Sequence, residues 1–389
     1  MVRKKKNTLS TTQIILLSFL VTIFFGSALL ALPISSTNGE AVPYLDALFT
    51  ATTSTCVTGL VTLPTVSTWS VFGQIVILLL IQVGGLGIIT IMSGLMILIN
   101  RKMGISDRLL IQDAFNLNTM SGLAKFVKNV LFGTLIIESI GAVLYMFVFI
   151  PEFGANGIWI SVFTSVSAFC NAGIDIIAEN SLCNYATNPL INIVTSALII
   201  LGGLGYIVWW DILSVIKSRS PKNRKIFRHL TLHSKIAITV TAALILAGGI
   251  FIFIFEYSNP TTIGDMSLFD KIQVSLFQSV TTRTAGFATI PQENLTNASA
   301  AVSIILMLIG GSPVGTAGGI KTVTIAVLIC SAFATIKNQK GATLFGRRIS
   351  EDSIKKAVAV AVMFIAICAT SAILLMATSH VSAIDAFYV

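Results

Sequence analysis

Long apolar runs separated by short polar ones fill the chain. The runs Gln13 to Ile34, Val71 to Ile99, Phe126 to Ile150, Leu190 to Ile216, Ile236 to Phe255, Ala301 to Ile336 and Ala357 to Ala377 each reach the roughly 20 residues that carry a helix across a bilayer. Between them lie shorter semi-apolar stretches, Tyr44 to Thr53, Trp159 to Phe169 and Leu268 to Val280. Stretches of about 10 to 14 apolar residues are too short to span and suit re-entrant helices. The pattern predicts an all-α polytopic membrane protein.

The order of elements repeats: a spanning helix, a short helix, a glycine-containing polar turn, then a second spanning helix. The turns read TSTCVTGL (Thr53 to Leu60), AFCNAGID (Ala168 to Asp175) and TTRTAGFA (Thr281 to Ala288). Phe49, Phe163 and Phe277 on the short helices precede Gly59, Gly173 and Gly286 by nine or ten residues. The second spanning helices also correspond, with GGLG at Gly84 to Gly87, GGLG at Gly202 to Gly205, and a double glycine at Gly310 and Gly311. The repeats divide the chain into 1–102, 103–219, 220–340 and a last stretch, 341–389. Turns arranged around an axis let backbone carbonyls face a common pathway and replace the water shell of a bare cation. Irregular backbone at membrane depth is tolerated only where it is buried or lines a cavity. Glycine supplies conformations that a Cβ would obstruct.

Composition removes the alternatives. Only 11% of residues are charged, against about 25% in a soluble protein. With 54% hydrophobic residues and a mean hydropathy of +0.89, a water-soluble globule is excluded. The net charge of +9 would suggest nucleic acid if spread over one face, but its distribution says otherwise. All of the 25 Lys and Arg except Lys271, Arg283 and Lys321 fall at the N-terminus (Arg3, Lys4, Lys5, Lys6), between Arg101 and Lys128, between Lys217 and Lys235, or between Lys337 and Lys356. Those are alternate loops, as the positive-inside rule requires of a multi-pass cell-membrane protein with a cytoplasmic N-terminus. No nucleic-acid partner is expected. The first apolar run exceeds the roughly 7 to 15 residues of a signal peptide, so a retained helix is expected. The five cysteines lack metal-ligand spacing and read as mostly buried thiols.

The stretch from Ala301 to Ile336 is longer than one span needs. Its middle, GGSPVGTAGG, combines glycines with Pro313 and cannot persist as a regular helix, so a broken span is expected. Arg283 would repel cations from a pathway and is expected behind the turn, paired with an acid. Glu138, within IIESIGAV, is expected to serve helix packing or hydrogen bonding. His229 and His233 read as surface residues or partner contacts.

CVTGL at Cys56 to Leu60, SVTTRTAGF at Ser279 to Phe287 and, above all, GGSPVGTAGGIKT at Gly310 to Thr322 resemble the Trk/Ktr/HKT superfamily of potassium transporters, most closely the bacterial Ktr-type translocating subunit. The resemblance runs along essentially the whole chain. It implies a pseudo-fourfold pore of helix, re-entrant pore helix, filter loop and helix repeats. By that resemblance, the potassium-facing carbonyls are those of Val57, Thr58, Gly59 and Leu60, of Asn171, Ala172, Gly173 and Ile174, and of Thr284, Ala285, Gly286 and Phe287. It further makes 310–322 an intramembrane gating loop, comprising Gly310, Gly311, Ser312, Pro313, Gly315, Thr316, Gly318, Gly319 and Lys321. In that position, Ser312, Thr316 and Lys321 are expected to bond free carbonyls of the broken helix ends. Potassium is then the substrate, with no covalent cofactor, with sodium as a stimulating ion, and with a homodimer docked on a cytoplasmic nucleotide-binding ring.

Against the family pattern, the last residues, Ile384 to Val389, only open a fourth pore helix; Asp385, Ala386 and Phe387 echo Asp46, Ala47 and Leu48. An incomplete fourth repeat is expected, in a fragment or truncated product of a longer gene or with a separate piece supplying the missing quarter, the fragment being favoured. Three turns alone would coordinate potassium poorly, so selective conduction is not expected of this chain by itself. Two other classes stand beside potassium uptake. An ion-coupled carrier of a small solute commonly uses inverted repeats, whereas these are parallel. A membrane enzyme would need clustered His, Cys or acidic residues within the spans, so none is expected.

Overall fold

The computed structural model describes residues 10–98, 104, 109, 112, 122–217, 226–339, 341–379 and 381–388. Of the basic residues that set the expected orientation, Arg3, Lys4, Lys5, Lys6, Arg101, Lys102, Arg108, Arg219, Lys222, Arg224, Lys225 and Lys340 lie outside the described residues. The chain divides into two compact units, Met1–Glu179 and Asn180–Val389. The boundary falls inside the second repeat, just after its glycine turn.

The first unit opens with α1 (Thr11–Leu30). Ser10 Oγ accepts the Gln13 amide at 3.3 Å while the Gln13 side chain accepts the Ser10 amide at 2.9 Å, a reciprocal cap that satisfies two of the donors left open at a helix start. The helix stops before Pro33, which begins a 3-10 turn. Then follow α2 (Tyr44–Cys56), α3 (Val71–Leu86), α4 (Ile88–Leu98), α5 (Leu123–Phe153) and α6 (Asn156–Cys170). The short helix α2 packs against α1 and α3, and α6 packs along α5 and against α3.

The second unit holds α7 (Pro189–Leu204), α8 (Tyr206–Lys217), α9 (Leu232–Glu256), α10 (Leu268–Thr281), α11 (Asn297–Leu308) and α12 (Thr322–Ile336). An antiparallel hairpin pairs β1 (Thr343–Leu344) with β2 (Arg347–Arg348), and α13 (Glu351–Thr378) and α14 (Ala383–Tyr388) follow. The start of α14 repeats that of α10. Ser267 accepts the Asp270 amide at 3.3 Å and Ser382 accepts the Asp385 amide at 3.2 Å, each serine hydroxyl also bonding the same aspartate's carboxylate.

Helices α1, α5, α9 and α13 are long and apolar enough to cross a membrane, and each is the first helix of a repeat. Large apolar side chains cover their outer faces: Leu16, Val21 and Phe25 on α1, Phe132, Ile136 and Phe147 on α5, Val362 and Ile367 on α13 are all exposed. Lipid is the solvent that accepts such surface.

The second helices depart from the sequence expectation. Val71 to Ile99 and Leu190 to Ile216 read as straight spans, but α3 turns into α4 by 95° and α7 into α8 by 92°. The corners are Gly87 (φ 80°, ψ 133°) and Gly205 (φ 86°, ψ 146°), the last glycines of the two GGLG motifs. The third counterpart is interrupted between α11 and α12, as its glycines and proline predict. The helix that follows each of the three glycine turns is therefore broken.

Candidate functional site

Each short helix runs straight into its glycine turn, and the turns share one backbone signature. Val57, Asn171 and Thr284 have φ of 57°, 60° and 64°, and two residues on Gly59, Gly173 and Gly286 have φ of 88°, 63° and 88°. Thr58, Ala172 and Ala285 between them are outside the positive-φ region. Alternating the sign of φ turns successive carbonyls toward one side of the ribbon, the geometry needed to present carbonyl oxygens to a cation. The turns also sit at helix C-termini, where the free carbonyls and the macrodipole favour positive charge.

Hydroxyls at the ends of the short helices brace these turns. Ser167 Oγ donates to the Ile174 carbonyl at 2.5 Å, and Thr281 Oγ1 donates to the Phe287 carbonyl at 2.6 Å. In the first repeat Thr53 Oγ1 meets Thr58 Oγ1 at 2.5 Å. The amides of Thr58, Ala172 and Ala285 bond back to the carbonyls of Thr53, Ser167 and Thr281 at 3.0, 2.8 and 2.8 Å. The fourth carbonyls of the second and third turns thus have a protein hydroxyl as partner.

The first unit brings two turns together. A Cβ on Gly59 would stand 2.8 Å from the Ala172 carbonyl oxygen, so at this position glycine is required by both its φ and its neighbour. Asn171, Ala172 and Ile174 are buried, while Leu60 is exposed. The third turn, Thr284 to Phe287, belongs to the second unit, with Ala285 and Phe287 buried.

In that second unit the irregular stretch between α11 and α12 docks into the corner between α7 and α8. The Ser312 amide donates to the Gly203 carbonyl at 2.8 Å, the Thr316 amide to the Gly202 carbonyl at 3.1 Å, and the Tyr206 amide to the Val314 carbonyl at 3.1 Å. The Leu201 carbonyl is taken by Trp209 Nε1 at 3.0 Å. Carbonyls that the broken helix leaves open are therefore satisfied by the loop and by α8, as buried backbone groups must be. The fit is close: a Cβ on Gly205 would lie 2.5 Å from the Pro313 carbonyl oxygen. Within the loop, Ile320 donates to Leu308 at 2.9 Å and Thr322 to Gly311 at 3.0 Å, while the hydroxyls of Ser312 and Thr322 meet at 2.9 Å. Gly318 and Gly319 close against Gly310.

Several sequence expectations about side chains change. Of the five cysteines only Cys170 is buried, Cys56 being exposed and Cys183, Cys330 and Cys368 half-buried, and His233 is half-buried rather than at the surface. Arg283 is buried and its Nη2 donates to the Gly310 carbonyl at 2.8 Å, so its partner is a backbone group of the loop and not an acid. The amides of Ser312 and Thr316 do bond carbonyls at a broken helix end, but the end belongs to the second repeat's helix instead of their own. Lys321 Nζ bonds within the loop, to the Ala317 carbonyl at 2.6 Å. The next residue after Arg283 adds a second tie between turn and loop, since Thr284 Oγ1 accepts the Gly318 amide at 2.8 Å.

Glu138 is buried on α5 and hydrogen-bonded, as expected, with Gln82 Nε2 of α3 donating to its Oε2 at 3.1 Å. Gln82 itself is a site neighbour that the sequence reading passed over. Its signal was a lone polar residue two positions before the first GGLG.

A family model described as TrkH, cation transport protein, matches residues 3–387. The potassium/sodium uptake protein NtpJ of Enterococcus hirae is 39% identical over 98% of this chain and 82% of its own length. The Ktr system potassium uptake protein B of Bacillus subtilis is 37% identical over 90% of this chain and 76% of its own length. Among solved structures, the potassium transporter TrkH from Vibrio parahaemolyticus superposes with a TM-score of 0.73 at 16% identity, covering 99% of this chain and 76% of that one. That likeness extends the shared fold across all the elements described.

Proposed function

Since this chain belongs to the TrkH family of cation transport proteins, we propose that it takes up potassium through a carbonyl-lined pathway gated by the stretch Gly310 to Lys321. It is a transporter and not an enzyme, so the mechanism is one of binding and passage. The observation that carries the proposal is the recurrence, at the C-terminus of each short helix, of a left-handed residue and, two positions on, a glycine at positive φ. Carbonyls so presented replace water around a bare ion. Because Ser167 and Thr281 hold the carbonyls of Ile174 and Phe287, the first three carbonyls of each turn, Val57 to Gly59, Asn171 to Gly173 and Thr284 to Gly286, are the principal ligands in this reading.

The stretch from Gly310 to Lys321 acts as the gate. Its ties to Gly202, Gly203, Arg283 and Thr284 are single hydrogen bonds, the neutral ones worth about 1 kcal/mol net each and the one from Arg283 about 1.5–3 kcal/mol, so the loop is held but releasable. Opening breaks these ties together and frees the pathway below the third turn. The N-terminus lies in the cytoplasm, a second copy and a cytoplasmic nucleotide-binding ring are the partners, and sodium stimulates flux. These last features rest on the family's character and on the relatives' names, which speak of a Ktr system and of potassium/sodium uptake.

The test is rubidium or potassium uptake by the encoded transporter in a bacterium lacking its own potassium systems. Uptake above empty vector is expected, and Gly59→Ser or Gly286→Ser should lower discrimination of potassium against sodium. Uptake no better than vector sinks the potassium assignment, and unchanged selectivity in both glycine variants sinks the filter.

A further inference from the structure

Behind the second turn, side chains from three helices of the first unit form a buried relay. Cys170, the last residue of α6 and the neighbour of Asn171, is fully buried, and its thiol donates to Gln82 Oε1 at 3.7 Å. The Gln82 amide donates in turn through Nε2 to Glu138 Oε2 at 3.1 Å. At the same level Ser165 Oγ donates to the Glu138 backbone carbonyl at 2.7 Å, fastening α6 to α5. Gly85 makes room for the relay, because a Cβ there would lie 2.6 Å from the Cys170 sulfur. Glu138 is 5% exposed, and its second oxygen, Oε1, is buried with no hydrogen-bond partner.

A carboxyl group in this position is a poor packing device. It is desolvated and its partner is an amide, not a cation, whereas an apolar residue of similar volume would fill the space without that penalty. What it does accomplish is directional. A carboxyl oxygen that claims the NH2 of Gln82 leaves only the amide oxygen to face Cys170, so the amide cannot flip. The thiol then has a fixed acceptor, and with it the residue from which the second turn departs.

We propose that Glu138 is a positioning residue for cation discrimination, acting through Gln82 and Cys170 to hold the second turn at Asn171 and Ala172. The proposal rests on the filter reading, since the turn it positions is one of the proposed cation-binding turns. The Ala172 carbonyl lies against Gly59, so a change at Cys170 reaches the first turn as well.

The test compares Glu138→Ala, Glu138→Gln and Gln82→Met with the parent and with Gly59→Ser in the encoded transporter. Two readouts are taken: rubidium uptake competed by sodium, and thermal stabilisation of the purified protein by potassium against sodium. The second does not depend on flux. Glu138→Ala and Gln82→Met should reduce the potassium preference about threefold or more in both readouts, while Glu138→Gln, which still accepts from Gln82, should stay near the parent. If Glu138→Ala does not assemble, Gln82→Met and Glu138→Gln decide. Parental preference in Gln82→Met overturns the relay, provided Gly59→Ser is altered; parental preference in both would instead sink the filter reading. Loss in Glu138→Gln equal to that in Glu138→Ala also overturns it, because the charge of the carboxyl group and not the orientation of the amide would then be the cause.

Discussion

Residues adjacent in sequence do different work at the third turn. Arg283 reaches back to the Gly310 carbonyl while Thr284 accepts the Gly318 amide, so one dipeptide grips both ends of the loop. Replacing Arg283 with Met leaves a buried carbonyl without its donor, a cost of about 1–3 kcal/mol that the loop can relieve by opening. Since about 1.4 kcal/mol is a tenfold change in an equilibrium, basal rubidium uptake by Arg283→Met should rise several-fold at matched expression. An unchanged or reduced rate would show that this bond does not restrain the gate. The sequence marked Arg283 as unable to face a cation, and the structure buries it with its guanidinium on the Gly310 carbonyl. It could not name the partner, because backbone carbonyls carry no residue identity.

At the scale of elements, the corners are the chief departure from the linear pattern. Nothing in VGGLGIIT or LGGLGYIV interrupts the apolar run, and hydropathy alone cannot distinguish a straight span from one folded through a right angle. The corner at Gly205 stands because its open carbonyls are met by amides of a loop more than a hundred residues later in the chain. Gly205→Ala places a Cβ at a φ of 86° and against the Pro313 carbonyl, with backbone strain of about 1–3 kcal/mol. Its thermal midpoint in detergent should fall by several degrees, with the loop loosened. A midpoint equal to the parent's would mean that the corner tolerates a side chain and that the loop does not fit it tightly.

For the whole molecule, the orientation is testable without transport. With native cysteines replaced, a cysteine at Asn294 should react with an impermeant maleimide from outside, and one at Gln339 only after the membrane is opened. The reverse result would invert the topology drawn from the charge distribution. Deleting Ser312 to Gly318 should raise flux if the loop is a gate; loss of assembly would make it a structural plug for the corner between α7 and α8. The amino-acid sequence by itself determined the membrane environment, the succession of spanning and short helices, the register of the glycine turns and the breakage of the last second helix. These depend on composition, on local propensity and on glycine and proline, which act where they stand. Only the tertiary structure decided that the other second helices also break, that the loop of the third repeat fills the corner of the second, and that Gln82 and Glu138 meet behind Cys170. The physical reason is that a buried hydrogen-bonding group must be satisfied by whatever reaches it in space, and that partner leaves no mark in the local sequence.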